Sequence, residues 1–171
     1  MFAGKCSSTK WNGDDDWRRG CYAVPMPDYR KLRVFHLAQE LSEAVHRLVP
    51  ELPARKAPGL VSQLCRSVSS VPTNIAEGAA RDSPGAYVSA LVIARGSAHE
   101  TAVHLRLAAS LANVRAAELR RFEQRAHVVA AMLTNLIATI QKDAAISEND
   151  RRNRKKRKRH QAKREGDQSS A

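Results

Sequence analysis

The chain has 171 residues, 43% of them apolar and only 5% aromatic, with a formal net charge of +12. That length holds one domain with extensions rather than two domains, and its core must be built from Leu, Val, Ile and Ala. No apolar run approaches the roughly 18 residues of a membrane span, and an odd number of cysteines, three, argues against a disulfide framework.

The charge is unevenly placed. From 151 to 164 there are ten Lys/Arg and no Asp/Glu, whereas residues 1–150 hold 19 Lys/Arg against 15 Asp/Glu. A polycationic tail therefore follows a mildly basic body.

Residues 1–27 contain Gly, Ser, Asn, the triplet Asp14, Asp15 and Asp16, and two prolines, without any period. This composition predicts a disordered leader. Trp11 and Trp17 fall in it, as do Cys6 and Cys21, whose spacing matches no zinc pattern. The acidic triplet and the lack of an apolar segment exclude a signal peptide, so a cytoplasmic protein is expected. Met26-Pro27-Asp28 directly precedes the first helical pattern and suggests Met26 as the true start. A native mass that includes residues 1–25 would overturn that expectation.

A first helix is predicted over 28–49. Val34, Leu37, Leu41, Val45 and Leu48 recur at three- and four-residue steps, Asp28 offers an N-cap, and Pro50 a stop. Residues 50–58 hold three prolines and read as a loop. A second helix starts near Gly59, with the stripe Leu60, Leu64, Val68, Val71, Ile75 and Ala79. Pro72 interrupts it. Proline leaves the Val68 carbonyl without its N–H partner, so a kink is expected, or a break with a restart near Thr73. The Ser69 and Ser70 hydroxyls are candidates to satisfy the freed carbonyls. Cys65 reads as a small buried apolar residue.

Ser83-Pro84 marks the third helix, Ser as N-cap and Pro as first helical residue. Its stripe is Val88, Leu91, Ala98, Ala102, Leu105, Ala109 and Ala112, interrupted by Arg95, with Asn113 as a C-terminal cap. Many of these residues are small and allow a close neighbour. The fourth helix is predicted over 115–142. Leu119, Phe122, Ala126, Val129, Leu133, Leu136 and Ile140 step three and four alternately, a heptad seam. Residues 146–171 are polar and charged and read as a disordered basic tail. The fold class is therefore all-α: an antiparallel up-down four-helix bundle over 28–145, between a leader and a tail.

At Val71–Arg81, V-P-T-N-I-A-E-G-A-A-R, the chain resembles the four-helix-bundle proteins encoded in intervening sequences of bacterial 23S ribosomal RNA genes. Leu32-Arg33-Val34-Phe35, Gln63-Leu64-Cys65-Arg66 and Gly96-Ser97-Ala98-His99-Glu100-Thr101 carry the same resemblance, over about residues 28–142. Ala79-Ala80 depart from it where a glycine is common, and the basic tail is not part of it. The resemblance implies an up-down bundle, often a homopentamer, and implies no enzyme. The accessory variability protein of diversity-generating retroelements, a basic pentamer that binds a reverse transcriptase and nucleic acid, is a distant relative of that family.

Within the central motif, Glu77 and Arg81 stand at the favourable i,i+4 spacing. Arg66, Asn74 and Glu77, beside Gly78, are expected to form a polar network where helices or subunits meet, with Arg81 and Glu100 nearby. Such groups fix register and partner choice. His99-Glu100 and His104 have the spacing H-E-x-x-x-H. Five residues turn the second imidazole by about 140° from the first, so the two cannot share a metal, whereas Glu100 and His104, at i,i+4, are expected to pair by a hydrogen bond. No second Glu-x-x-His repeat exists for a di-iron site. No Gly-rich phosphate loop or nucleophile elbow is present. No cofactor or metal is expected, and His36, His46 and His127 read as ordinary helix residues.

The tail is the strongest functional signal. Arg151, Arg152, Arg154, Lys155, Lys156, Arg157, Lys158, Arg159, Lys163 and Arg164 are suited to neutralise phosphates, with Arg115, Arg120, Arg121 and Arg125 as a second basic surface. The tail has no aromatic residue for base stacking. The expected function is a non-enzymatic oligomeric module, pentameric by the resemblance, that binds nucleic acid, RNA before DNA, independently of sequence. A reverse transcriptase or similar enzyme is an expected partner. The alternative is a structural module that docks a protein, with the tail peripheral.

Overall fold

The computed structural model describes residues 27–52, 57–111 and 115–168. The expectations for the leader, for Met26, Cys6, Cys21, Trp11 and Trp17, and for Ala112 and Asn113 lie outside these residues. Four helices follow in order: α1 (Arg33–Leu48), α2 (Pro58–Ala79), α3 (Pro84–Leu111) and α4 (Ala116–Gln168). Each packs against its neighbour in sequence, and α1 closes the ring against α4.

The core shows which way the helices run. One buried cluster joins Val34 and Ala38 of α1, Val71 and Ile75 of α2, Tyr87 to Ala98 of α3, and Val129 to Ile140 of α4. The other joins Leu41 to Leu48, Leu60 to Val68, Ala102 to Ala109, and Leu119 and Ala126. Early parts of α1 and α3 thus meet late parts of α2 and α4, the antiparallel up-down bundle that the periodicity predicts. The heptad seam of α4 is confirmed: Leu119, Ala126, Val129, Leu133 and Ile140 are buried, Phe122 and Leu136 half-buried.

Local chemistry sets the boundaries, with some corrections. Asp28 caps a short 3-10 turn (Tyr29–Lys31) rather than α1 itself: its side chain accepts from the Arg30 N–H at 3.1 Å. Leu32 is extended, so α1 begins one turn later than expected. The His36 ring is bonded to the Arg30 carbonyl at 2.7 Å and ties that turn to α1. Ser83 does cap α3, accepting from the Ala86 N–H at 3.2 Å.

Pro72 sits inside α2 without ending it. The neighbouring carbonyls take side-chain donors from the following turn: Thr73 Oγ1 donates to Ser69 O at 2.9 Å and Asn74 Nδ2 to Ser70 O at 2.8 Å. The Ser69 and Ser70 hydroxyls do not turn back to the freed Val68 carbonyl. Ser70 Oγ bonds Ser97 Oγ at 2.9 Å across to α3, and Ser69 Oγ lies 3.5 Å from His46 Nε2.

The largest departure is at the end of α4, which continues as helix to Gln168 where a disordered tail is expected. Between 117 and 165 there is no Pro or Gly, and Ala, Arg, Lys, Gln and Glu are among the best helix formers. A turn added to a helix already nucleated in the bundle avoids the nucleation cost that a free peptide bears. Composition predicted the lack of a core correctly, since Glu148 to Arg157 are all exposed. It predicted the backbone wrongly.

Tyr87 is the largest fully buried side chain, at 0% exposure, in a position where the sequence pattern pointed to Val88. Its hydroxyl has no hydrogen-bond partner among the described residues, and burial pushes its pKa up. A buried hydroxyl without a partner costs about 1–3 kcal/mol. Tyr87→Phe is therefore expected to raise unfolding free energy by about 1 kcal/mol in a urea titration.

Candidate nucleic-acid interface

The bundle core ends at Ile140, and α4 continues for about 28 residues, or about 42 Å at 1.5 Å per residue. Arg151, Arg152, Arg154, Lys155, Lys156 and Arg157 lie on this extension, all exposed. Among the described residues only Arg152 of this set has an ion-pair partner, Glu148 one turn earlier at 2.6 Å. The backbone of Lys158, Arg159, Lys163 and Arg164 continues the same helix; their side chains lie outside the described part.

The bundle cations expected as a second basic surface lie far from the tail or are paired. Arg120 and Arg121 are exposed near the start of α4, about 45 Å along the helix from Arg151. Arg125 is half-buried and pairs with Glu40 of α1 at 3.0 Å, so it fastens α4 to α1. Arg115 has a left-handed backbone (φ 66°) and pairs with Glu118 at 2.8 Å and Glu51 at 3.0 Å. Its hydrogen bond to Glu118, then the nearby Glu51 charge, raise its pKa. The antiparallel order places a different set at the root of the extension. Arg30, Lys31, Arg33, Arg81 and Lys142 are exposed there, against Asp28, Asp82 and Asp143. None of these five cations makes an ion pair among the described residues. The sequence missed this set because only the folded order brings both ends of the bundle motif to the foot of α4.

The predicted polar network does not form within the chain. Arg66 and Glu77 are eleven residues apart on α2, about 16 Å, and both are exposed. Arg66 donates to Gln63 Oε1 at 2.5 Å instead. Arg81 lies beyond the last turn of α2, which removes its i,i+4 geometry with Glu77. Glu100 is exposed and does not bond His104. Asn74 alone is half-buried and satisfied, by Ser70 O and Ser70 Oγ at 2.8 and 2.9 Å.

What joins α2 to α3 is a ladder of small hydroxyls. Thr101 Oγ1 bonds Ser67 Oγ at 3.1 Å, Ser70 Oγ bonds Ser97 Oγ, and His104 Nδ1 lies 3.5 Å from Ser67 Oγ. Ser67 is 2% exposed and donates to the Leu64 carbonyl at 3.1 Å. That geometry makes Ser67 a register-fixing group, not a nucleophile poised on His104. Gly78 permits the close approach at the far end of the same contact: a Cβ there would stand 2.8 Å from both Ala90 Cβ and the Tyr87 ring. No group of three metal-ligating side chains occurs among the described residues, and no described helix is long and apolar enough to cross a membrane.

The outer side of α3 is unusual. At 100° per residue, Val92, Gly96, Val103 and Leu107 share one solvent-facing strip, and Val92, Val103 and Leu107 are 42–62% exposed. Ile93 flanks it at 57%. A Cβ at Gly96 would meet open space. The strip is interrupted by Ser89 and Ser110 and flanked by His99, Glu100 and Arg106, all exposed, so apolar and polar side chains share the outer side of α3.

Comparison with curated proteins finds no match. The family model for the 23S rRNA-intervening sequence protein matches residues 30–135, which takes in all of α1 to α3 and most of the bundle part of α4 and stops short of the basic extension. The matched span exceeds half the chain and coincides with the four-helix core, so the chain belongs to the 23S rRNA-intervening sequence protein family.

Proposed function

We propose that the protein is a non-enzymatic oligomeric module that binds the sugar–phosphate backbone of nucleic acid. The observation that carries this reading is the basic end of α4, where six exposed Arg/Lys occur within 151–157 and, among the described residues, a single carboxylate answers them. Closely spaced cations without internal partners neutralise phosphates and release the counterions condensed on them. The outer side of α3 supports assembly, because Val92, Ile93, Val103 and Leu107 leave exposed apolar surface that a second subunit would cover. Assembly would also present several basic helices together, and linked weak contacts multiply.

The test is a fluorescence-anisotropy titration of labelled nucleic acid with the full chain and with residues 1–146, alongside sedimentation of Val103→Glu/Leu107→Glu. The full chain is expected to bind at least tenfold more tightly than the truncated one, and the double variant to sediment as a smaller species. Equal and salt-independent affinity of both chains would overturn the binding half. A monomeric parent protein would overturn the assembly half.

A further inference from the structure

We infer that the basic end of α4 lies in the major groove of B-form duplex DNA. The inference rests on the nucleic-acid reading above and adds which nucleic acid and how it is held. Three features of the extension lead to it.

First, the cations surround the helix. At 100° per residue, Arg151, Arg152, Arg154, Lys155, Lys156 and Arg157 leave no sector wider than about 100° without a positive charge. A helix that rests on a flat anionic surface needs one basic face. A helix basic all round suits a channel with phosphates on both sides. Second, the element is helical through Gln168, and a helix with side chains is about 10–12 Å across. The B-DNA major groove, about 12 Å wide, admits an α-helix. The major groove of A-form RNA is deep and too narrow for side chains to read. Third, the helix repels itself. Arg151 with Lys155 and Arg152 with Lys156 stand at i,i+4, where like charges oppose helix formation. The Glu148 to Arg152 contact at 2.6 Å offsets one of these charges. Phosphate rails on both flanks would remove that repulsion, so groove binding and helix stability reinforce each other. Residues 151–164 span about 21 Å, enough to cross the groove from one rail to the other.

The experiment uses the full chain and Asn153→Pro/Gln161→Pro, which keeps every charge and breaks the helix outside the bundle core. Three probes of one 24-base-pair sequence are titrated: duplex DNA, duplex RNA, and duplex DNA whose major groove is filled by glucosylated hydroxymethylcytosine. Circular dichroism follows helix content and confirms that the variant keeps its bundle. The parent chain is expected to bind duplex DNA at least tenfold more tightly than duplex RNA, with a gain of helix signal on DNA alone. Glucosylation and the proline pair should each bring DNA binding down to the RNA level. Equal binding of DNA and RNA duplexes, a preference for RNA, or indifference to the prolines or to glucosylation overturns the groove assignment and leaves backbone binding standing. No binding to any probe overturns both.

Discussion

Raising monovalent salt from 50 to 200 mM is expected to weaken binding of the full chain to duplex DNA by about 10^2.5 to 10^4. The estimate takes roughly five to eight of the ten tail cations as engaged with phosphates, at about 0.9 counterion released per contact, so log K falls against log salt with a slope of about −4 to −7. The structure gives reason to expect most tail cations to take part. Those through Arg157 are exposed, and among the described residues only Arg152 already holds a carboxylate. Arg125 and Arg115 are expected to add nothing to the slope, because Glu40, Glu51 and Glu118 already occupy them. Arg125→Gln should therefore leave the salt slope unchanged, whereas Arg154→Gln/Lys155→Gln/Arg157→Gln should reduce it by two to three. A flat salt response in the full chain would remove the electrostatic basis of the functional reading.

Substituting Gly78 by Val is expected to destabilise the bundle by about 3 kcal/mol, and substituting Gly96 by Ala to stabilise it by about 0.5–1 kcal/mol. Gly96 is interior to α3, where glycine is normally unfavourable, whereas Gly78 is the next-to-last residue of α2. At Gly78 the added carbon would meet Ala90 Cβ and the Tyr87 ring at 2.8 Å, and neither can give way easily: Tyr87 is fully buried and a methyl group has no rotamer to change. At Gly96 the added carbon meets nothing, so only the helix propensity changes. Thermal or urea unfolding at low protein concentration separates the two, with a fall of roughly 10 °C for Gly78→Val. A neutral Gly78→Val would mean that α2 and α3 are less closely packed than the structure shows.

Periodicity carried most of the fold. In α1, α2 and α4 the apolar steps of three and four mark the buried residues almost one for one, since burial on one side is all such a helix requires. In α3 the pattern was harder to read. Apolar residues occupy both its inner and outer sides, so the stripe through Val88 passed beside Tyr87, which is the residue inside. The hydroxyl ladder has a legible signal in the sequence: Ser67, Ser70 and Asn74 on α2, and Ser97, Thr101 and His104 on α3, each repeat at three- and four-residue steps. Spacing alone suggested the pairs Glu77–Arg81 and Glu100–His104, and it failed at both. Local spacing does not say where a helix stops, nor whether a side chain prefers water. Composition located the basic segment and missed its backbone, because low apolar content rules out a core without ruling out a helix that begins inside one.

The unbroken backbone of α4 also makes it a lever. Ile137 and Ile140 lie in the core at its foot, while the charged segment lies tens of ångströms beyond. A tilt of only about 5° at that foot would swing the far tip by about 4 Å, close to the span of one nucleotide step. Whatever repacks the foot, whether a second subunit or a substitution at Ile140, is thereby amplified into a change of aim. Conversely, a strained polymer held at the tip would pull directly on the hydrocarbon interior.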